Sequence, residues 1–122
     1  MDEIVYLASM DIRSGDRFIN TRDTGWEDLG GGVARMILGW DNQVMMVKVK
    51  FSKGAVGAPH SHFHTQVTYC ARGRFEFTIG TEKRIIGEGD GIYVPPNTEH
   101  GALCLDEGIL IDVFSPVRED FL

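Results

Sequence analysis

Four side chains able to bind a metal ion fall within seven residues of this 122-residue chain: His60, His62, His64 and Gln66 alternate with Ser61, Phe63 and Thr65. In an extended strand every second side chain points to the same face, so this spacing predicts all four on one side. Imidazole nitrogen with amide oxygen suits one divalent transition metal ion (Zn, Ni, Mn, Fe or Co) better than Ca, which is held by oxygens. His100 follows the turn-like Pro95-Pro96-Asn97 at the start of another expected strand. A closed barrel would carry it back to the first group. A lone histidine in a polar strand is best read as a surface group. All four histidines of this chain lie in two short segments beside glycine and proline turns, which favours a metal site.

A second group of residues lies near the C-terminus. Asp112 stands among Leu110, Ile111, Val113 and Phe114, and a carboxylate in so apolar a run must be paired, bound or chemically employed. Strand parity puts Leu110, Asp112 and Phe114 on one face. Arg118 follows Pro116 and could reach the same cavity if the proline turns the tail across a barrel mouth. From the residues alone, a structural ion pair of Asp112 with Arg118 or Arg35 is as good a reading as a catalytic role. Arg35, an arginine inside an expected strand, is also a candidate substrate contact.

The elements that must position these groups read as all-β. Fifteen glycines and four prolines punctuate short runs rich in Val, Ile, Phe, Tyr and Thr. Strands are predicted over 33–40, 44–52, 66–71, 74–79, 84–87, 91–95, 100–105 and 108–114, a number suited to a jelly roll or closed barrel. Met45, Val47, Val49 and Phe51 share one face of their strand, while Met46, Lys48 and Lys50 share the other. Hairpin turns are expected at Arg72-Gly73-Arg74 and around Gly80-Thr81-Glu82-Lys83. Residues 1–32 read as an irregular arm packing on a barrel of residues 33–122, the whole forming a single domain.

Composition narrows the partners. Twelve basic residues among eighteen acidic ones give a net charge of −6, which leaves no patch for a phosphate backbone and argues against nucleic acid. No run is apolar enough for a bilayer, and the first residues lack the basic and apolar regions of a signal peptide, so a cytoplasmic setting is expected. Cys70 and Cys104 are too few for a disulfide framework and read as small core residues. Trp26, Trp40, Phe75 and Phe77 read as core or interface aromatics.

Two stretches resemble the paired motifs of the cupin family. Gly54, His60, His62, Gln66 and Gly73 have the spacing of the first motif, with Gln66 where glutamate is usual. Gly89, Pro95, Asn97, His100 and Cys104 resemble the second, with Asn97 in place of a glycine and Cys104 in place of an asparagine. The resemblance implies a double-stranded β-helix barrel, jelly-roll-like, with His60, His62, Gln66 and His100 as metal ligands. His64 is outside that ligand pattern and is left as a residue that lines the pocket, in reach of substrate, or supports the ligands from behind. Four neutral ligands leave the charge of the ion uncompensated, which favours an acidic substrate.

The segment from Asp112 through Phe114 and Arg118, taken with His60, His62 and Gln66, is further similar to pectin-degradation cupins of the KdgF type. Phe63 and Thr65 depart from that pattern, where proline and glutamate are common. The likeness implies conversion of 4,5-unsaturated monouronates, released by pectin or alginate lyases, to linear 4-deoxy-5-keto uronates. It implies Asp112 as general acid or base, Arg118 as clamp on the substrate carboxylate and Phe114 as a pocket wall. A metal-dependent dioxygenase, a keto-sugar isomerase and a non-enzymatic sugar-binding protein are the rival readings. Exposed edge strands and the N-terminal arm predict a homodimer, with residues 1–30 crossing its interface.

Overall fold

A computed structural model describes residues 13–122. Eight strands account for its architecture: β1 (Glu27–Gly30), β2 (Val33–Trp40), β3 (Met45–Phe51), β4 (Val56–His60), β5 (Thr65–Ile79), β6 (Glu82–Gly87), β7 (Gly91–Val94) and β8 (His100–Ser115). A short 3-10 turn, Glu119–Phe121, ends the chain. The alternation expected in β3 is present: Met45, Val47 and Phe51 are buried while Met46 is exposed.

The long strands β5 and β8 organise the rest. They pair antiparallel from Thr65↔Ser115 to Ile79↔His100, and their register slips between Cys70 and Phe75. On one side of that slip β8 pairs with β3 and β5 with β7; on the other, β8 pairs with β4 and β5 with β6. Each long strand therefore serves two sheets, one running β1-β2-β3-β8-β5-β7 and the other β4-β8-β5-β6. This is the double-stranded β-helix expected from the sequence.

Two glycines make the corner. Gly73 has φ 84°, and a Cβ there would stand 2.5 Å from the Glu107 carbonyl oxygen and 2.6 Å from Gly108 Cα. A Cβ on Gly108 would collide with the Arg72 carbonyl oxygen and the Phe75 ring. Only residues without a side chain allow the two backbones to cross this closely while both strands bend. The hairpin predicted at Arg72-Gly73-Arg74 is thus a bulged corner inside one strand. The separate strands 66–71 and 74–79 merge into β5, and 100–105 and 108–114 merge into β8. Without the bend, the twelve steps from His100 to Asp112 would span about 40 Å. With it, both line one cavity.

The second hairpin forms as expected, with Gly80-Thr81 joining the paired residues Ile79 and Glu82. Two strands were not predicted, β1 and β4. β1 lies within the stretch read as an arm and pairs with β2, and Ser14 makes an isolated bridge to Asp41. Residues 1–12 of that arm lie outside the described residues. The main core packs Phe51, Ala55, Cys70, Phe75, Phe77, Val94, Ala102, Cys104 and Leu110 between the sheets. Both cysteines are buried and free.

Candidate metal centre

The histidines converge, although not by the route that parity predicts. His60 is the last residue of β4, His62 and His64 lie in the connection 61–64, and Gln66 belongs to β5. The four do not share one strand face. The connection instead folds back so that His60, His62 and His100 each bring a ring nitrogen within 4.8 Å of the others. His60 and His100 are cross-strand partners. His62 is held by its backbone, since Asn97 N–H donates to its carbonyl oxygen at 2.7 Å.

Ring orientation favours a cation. His60 Nδ1 lies 2.9 Å from the Ala58 carbonyl oxygen, and His100 Nδ1 lies 2.8 Å from that of Thr98. A carbonyl only accepts, so in both rings Nδ1 carries the proton and Nε2 keeps a free lone pair. His100 Nε2 is buried without a protein partner. Burial lowers the pKa of His62 to about 4, helped by the Arg118 charge, and burial also lowers that of His100. These two rings are neutral near pH 7, as metal ligands must be. His62 Nε2 lies 3.0 Å from Gln66 Oε1 and its Nδ1 is buried without a partner; an amide oxygen only accepts, so Nε2 carries the proton here, and binding an ion through Nε2 would release it. The donor set fits one divalent transition ion.

A chain of hydrogen bonds leads away from this cluster. Gln66 Nε2 donates to Thr68 Oγ1 at 3.0 Å, and Thr68 Oγ1 donates to Asp112 Oδ1 at 2.7 Å. Asp112 forms no ion pair among the described residues, so the alternative reading, a structural pair with Arg118 or Arg35, is absent. Arg118 instead grips Asp120 through Nε and Nη2, at 3.0 and 2.8 Å, and Arg35 grips Glu27 through the same two atoms, at 2.9 and 3.3 Å. Burial raises the Asp112 pKa to about 6, against opposing pulls from the Thr68 hydroxyl, His60 and Arg118. That value lies close to neutrality, where a carboxyl can both take and give a proton.

His60, Gln66, His100, Asp112, Phe114, Arg118 and Arg35 all border one cavity of about 210 Å³. Much of the remaining wall is apolar, including Phe77, Leu110 and Phe121. The Phe121 ring lies between two guanidinium groups, 3.8 Å from Arg35 Cζ and 4.3 Å from that of Arg118. The tail therefore does cross the mouth, as expected from Pro116.

His64 is the exception among the predicted site residues. It is buried, stacks on Phe63 at 4.0 Å and lies with Nε2 3.2 Å from the Val117 carbonyl oxygen. It does not border the cavity. Its ring lies 5.2 Å from that of His62 and its contact to Val117 secures the tail one residue before Arg118, so the structure places it behind the ligand cluster.

Comparison with known proteins agrees with this geometry. Residues 47–114 match the cupin domain family. The pectin degradation protein KdgF of Dickeya dadantii (strain 3937) is 48% identical over 108 residues, 87% of this chain and 98% of that protein. The chain belongs to the cupin family and is of the KdgF type. An RmlC-like cupin from Shewanella frigidimarina superposes with a TM-score of 0.87 at 43% identity, covering 89% of this chain and 98% of that one. KdgF from Halomonas sp. gives 0.82 at 42% identity, over 88% and 99%.

The cupin motifs also explain one substitution. Asn97 stands where the second motif usually has glycine, and its φ is 59°. That left-handed conformation is the one asparagine tolerates best after glycine. Thr68 and Phe121 are site residues that sequence reasoning missed. Two-residue periodicity from Gln66 could have found Thr68. Nothing local marks Phe121, whose place depends on the path of the tail.

Proposed function

We propose that this cupin converts 4,5-unsaturated monouronates from pectin or alginate lyase action into linear 4-deoxy-5-keto uronates. The observation that carries the reading is a partly desolvated Asp112, without an ion-pair partner among the described residues, facing the same cavity as His60, His100 and two arginines. The relatives named for pectin degradation supply the substrate class.

The reaction is an isomerisation. The proton of the C1 hydroxyl leaves, the C1–O5 bond breaks as the aldehyde forms, and the enol so released at C5 gains a proton at C4 to become the ketone. Ionised Asp112 accepts the hydroxyl proton and returns it to carbon, so one group serves both steps. Arg118 holds the sugar carboxylate through the guanidinium hydrogens that Asp120 leaves free, or by exchanging Asp120 for it. Arg35 adds a second positive charge near the opening, and Phe114 supplies an apolar wall. His60, His62, Gln66 and His100 would hold the metal, with Gln66 as the oxygen ligand. When bound, the ion polarises sugar oxygens as a Lewis acid.

We place this chemistry in the cytoplasm, where unlinked thiols such as those of Cys70 and Cys104 persist. We further infer a homodimer. Met46, Val113, Val67 and Tyr93 form an apolar row across the outside of β3, β8, β5 and β7, three of them more than 40% exposed. A second copy is the natural cover for such a row.

The deciding experiment follows the ultraviolet absorbance of 4,5-unsaturated galacturonate against its spontaneous decay. Acceleration that disappears on chelation, and in His60→Ala, supports the proposal. Decay at the spontaneous rate by fully metallated protein would sink it. Oxygen uptake would then favour the dioxygenase, aldose–ketose exchange the isomerase, and retention of unchanged sugar the binding protein.

A further inference from the structure

We propose that Thr68 is a positioning residue that joins the metal centre to the proton carrier, through a hydroxyl whose direction is fixed at both ends. The inference rests on the reading of Gln66 as a ligand and Asp112 as the acid and base. Thr68 is 4% exposed and faces Asp112 directly across the β5–β8 pair. Its Oγ1 meets Gln66 Nε2 at 3.0 Å and Asp112 Oδ1 at 2.7 Å.

A hydroxyl has one proton to give. The side-chain nitrogen of glutamine only donates, and an ionised carboxylate only accepts. Thr68 must therefore receive from Gln66 and give to Asp112. Two consequences follow for the site. With its nitrogen tied to Thr68, the Gln66 amide turns Oε1 toward His62 and the cluster; the flipped amide would aim two N–H groups at a cation. With Oδ1 tied to the same hydroxyl, Asp112 keeps Oδ2 for exchanging a proton with substrate. Valine has nearly the shape of threonine and neither hydrogen bond, while serine keeps both bonds and loses only the methyl.

The test compares Thr68→Val and Thr68→Ser with the parent by two measurements. The first is affinity for Co(II), by competition with a chromophoric chelator, which needs no substrate. The second separates kcat from KM on 4,5-unsaturated galacturonate. Partners that orient ligands typically contribute tenfold or more, so Thr68→Val is expected to lose about tenfold in Co(II) affinity and at least about tenfold in kcat, with KM little changed. Thr68→Ser should recover most of both. Should the valine variant aggregate, Thr68→Ala against Thr68→Ser makes the same comparison.

Retention of metal affinity and kcat by Thr68→Val overturns the proposal, because the hydroxyl then orients neither neighbour. Equal losses in the serine and valine variants also overturn it, since the methyl would be what matters. Loss of affinity with normal kcat removes the link to Asp112. If the parent has no activity on this sugar, the proposed function fails by itself, and Co(II) affinity alone decides whether Thr68 orients Gln66.

Discussion

The corner in the middle of the β5–β8 pair and the cavity to which its two ends contribute both contain buried residues of opposite chemistry. At the corner, Cys70, Phe75 and Cys104 are 0 to 1% exposed; at the mouth, Gln66, Thr68 and His100 are 3 to 4% exposed. The corner is closed by apolar contact and by backbone crossing at Gly73 and Gly108. The mouth is closed by a relay of hydrogen bonds that still leaves His100 Nε2 without a protein partner. Exposure does not separate Gln66, Thr68 and His100 from core, although His60 is exposed and His62 and Asp112 are half-buried. What distinguishes them is polarity that the protein does not satisfy alone. Damage at the corner should register as lost stability, and damage at the mouth as lost rate or affinity.

The largest expected effect tests the corner. Gly73→Val puts a β-branched side chain at φ 84° and against backbone that cannot move without opening the strand pair. A loss above about 4 kcal/mol is expected, enough to remove cooperative unfolding in a thermal melt followed by circular dichroism. A Tm close to that of the parent would show that the corner tolerates separation.

Asp112→Asn breaks the mouth without touching the corner. Removing a general acid and base should lower kcat by roughly 10^2 to 10^4 while Co(II) affinity is retained. Normal turnover would take Asp112 out of the mechanism. Arg118→Lys is milder: it keeps the charge and loses the two-point fork, so KM should rise about tenfold with a smaller change in kcat. An unchanged KM would mean that the sugar carboxylate is held elsewhere.

The same contrast explains what was legible in the sequence. Residue types and short spacings carried the histidine cluster, because His60, His62 and His100 announce their chemistry wherever the backbone takes them. Alternation carried β3 and the shared face of Leu110, Asp112 and Phe114. The corner was misread because a glycine between two strand-like runs looks the same whether the chain reverses or bends. Only the pairing of Gly73 against Gly108, 35 positions apart, decides it. The single shared face of residues 60–66 was misread because parity assumes an extended backbone, and residues 61–64 do not form one. Arg35 and Arg118 were legible as charges, but their partners Glu27 and Asp120 depend on β1 and on the final turn.

The smallest effect is also the one whose sign separates a working group from a structural one. The Asp112 carboxyl has a pKa of about 6 in the folded protein, against about 3.9 in an unfolded chain. The folded state thus binds more protons between those values, and Asp112's contribution to stability is present below pH ~4 and lost as pH rises through ~6. Above that range the carboxylate opposes folding. Two units would correspond to nearly 3 kcal/mol, but Asp112 is not wholly removed from water, so about 1 kcal/mol is the expectation. In metal-free protein at pH 8, Asp112→Asn should therefore be more stable than the parent by about that amount, and the advantage should vanish near pH 4. Urea unfolding at the two pH values measures it. A variant less stable than the parent at pH 8 would mean that the carboxylate is held by its partners as part of the framework. A variant that gains stability while losing turnover would show a charge kept against the interest of the fold, as expected of a group retained for chemistry.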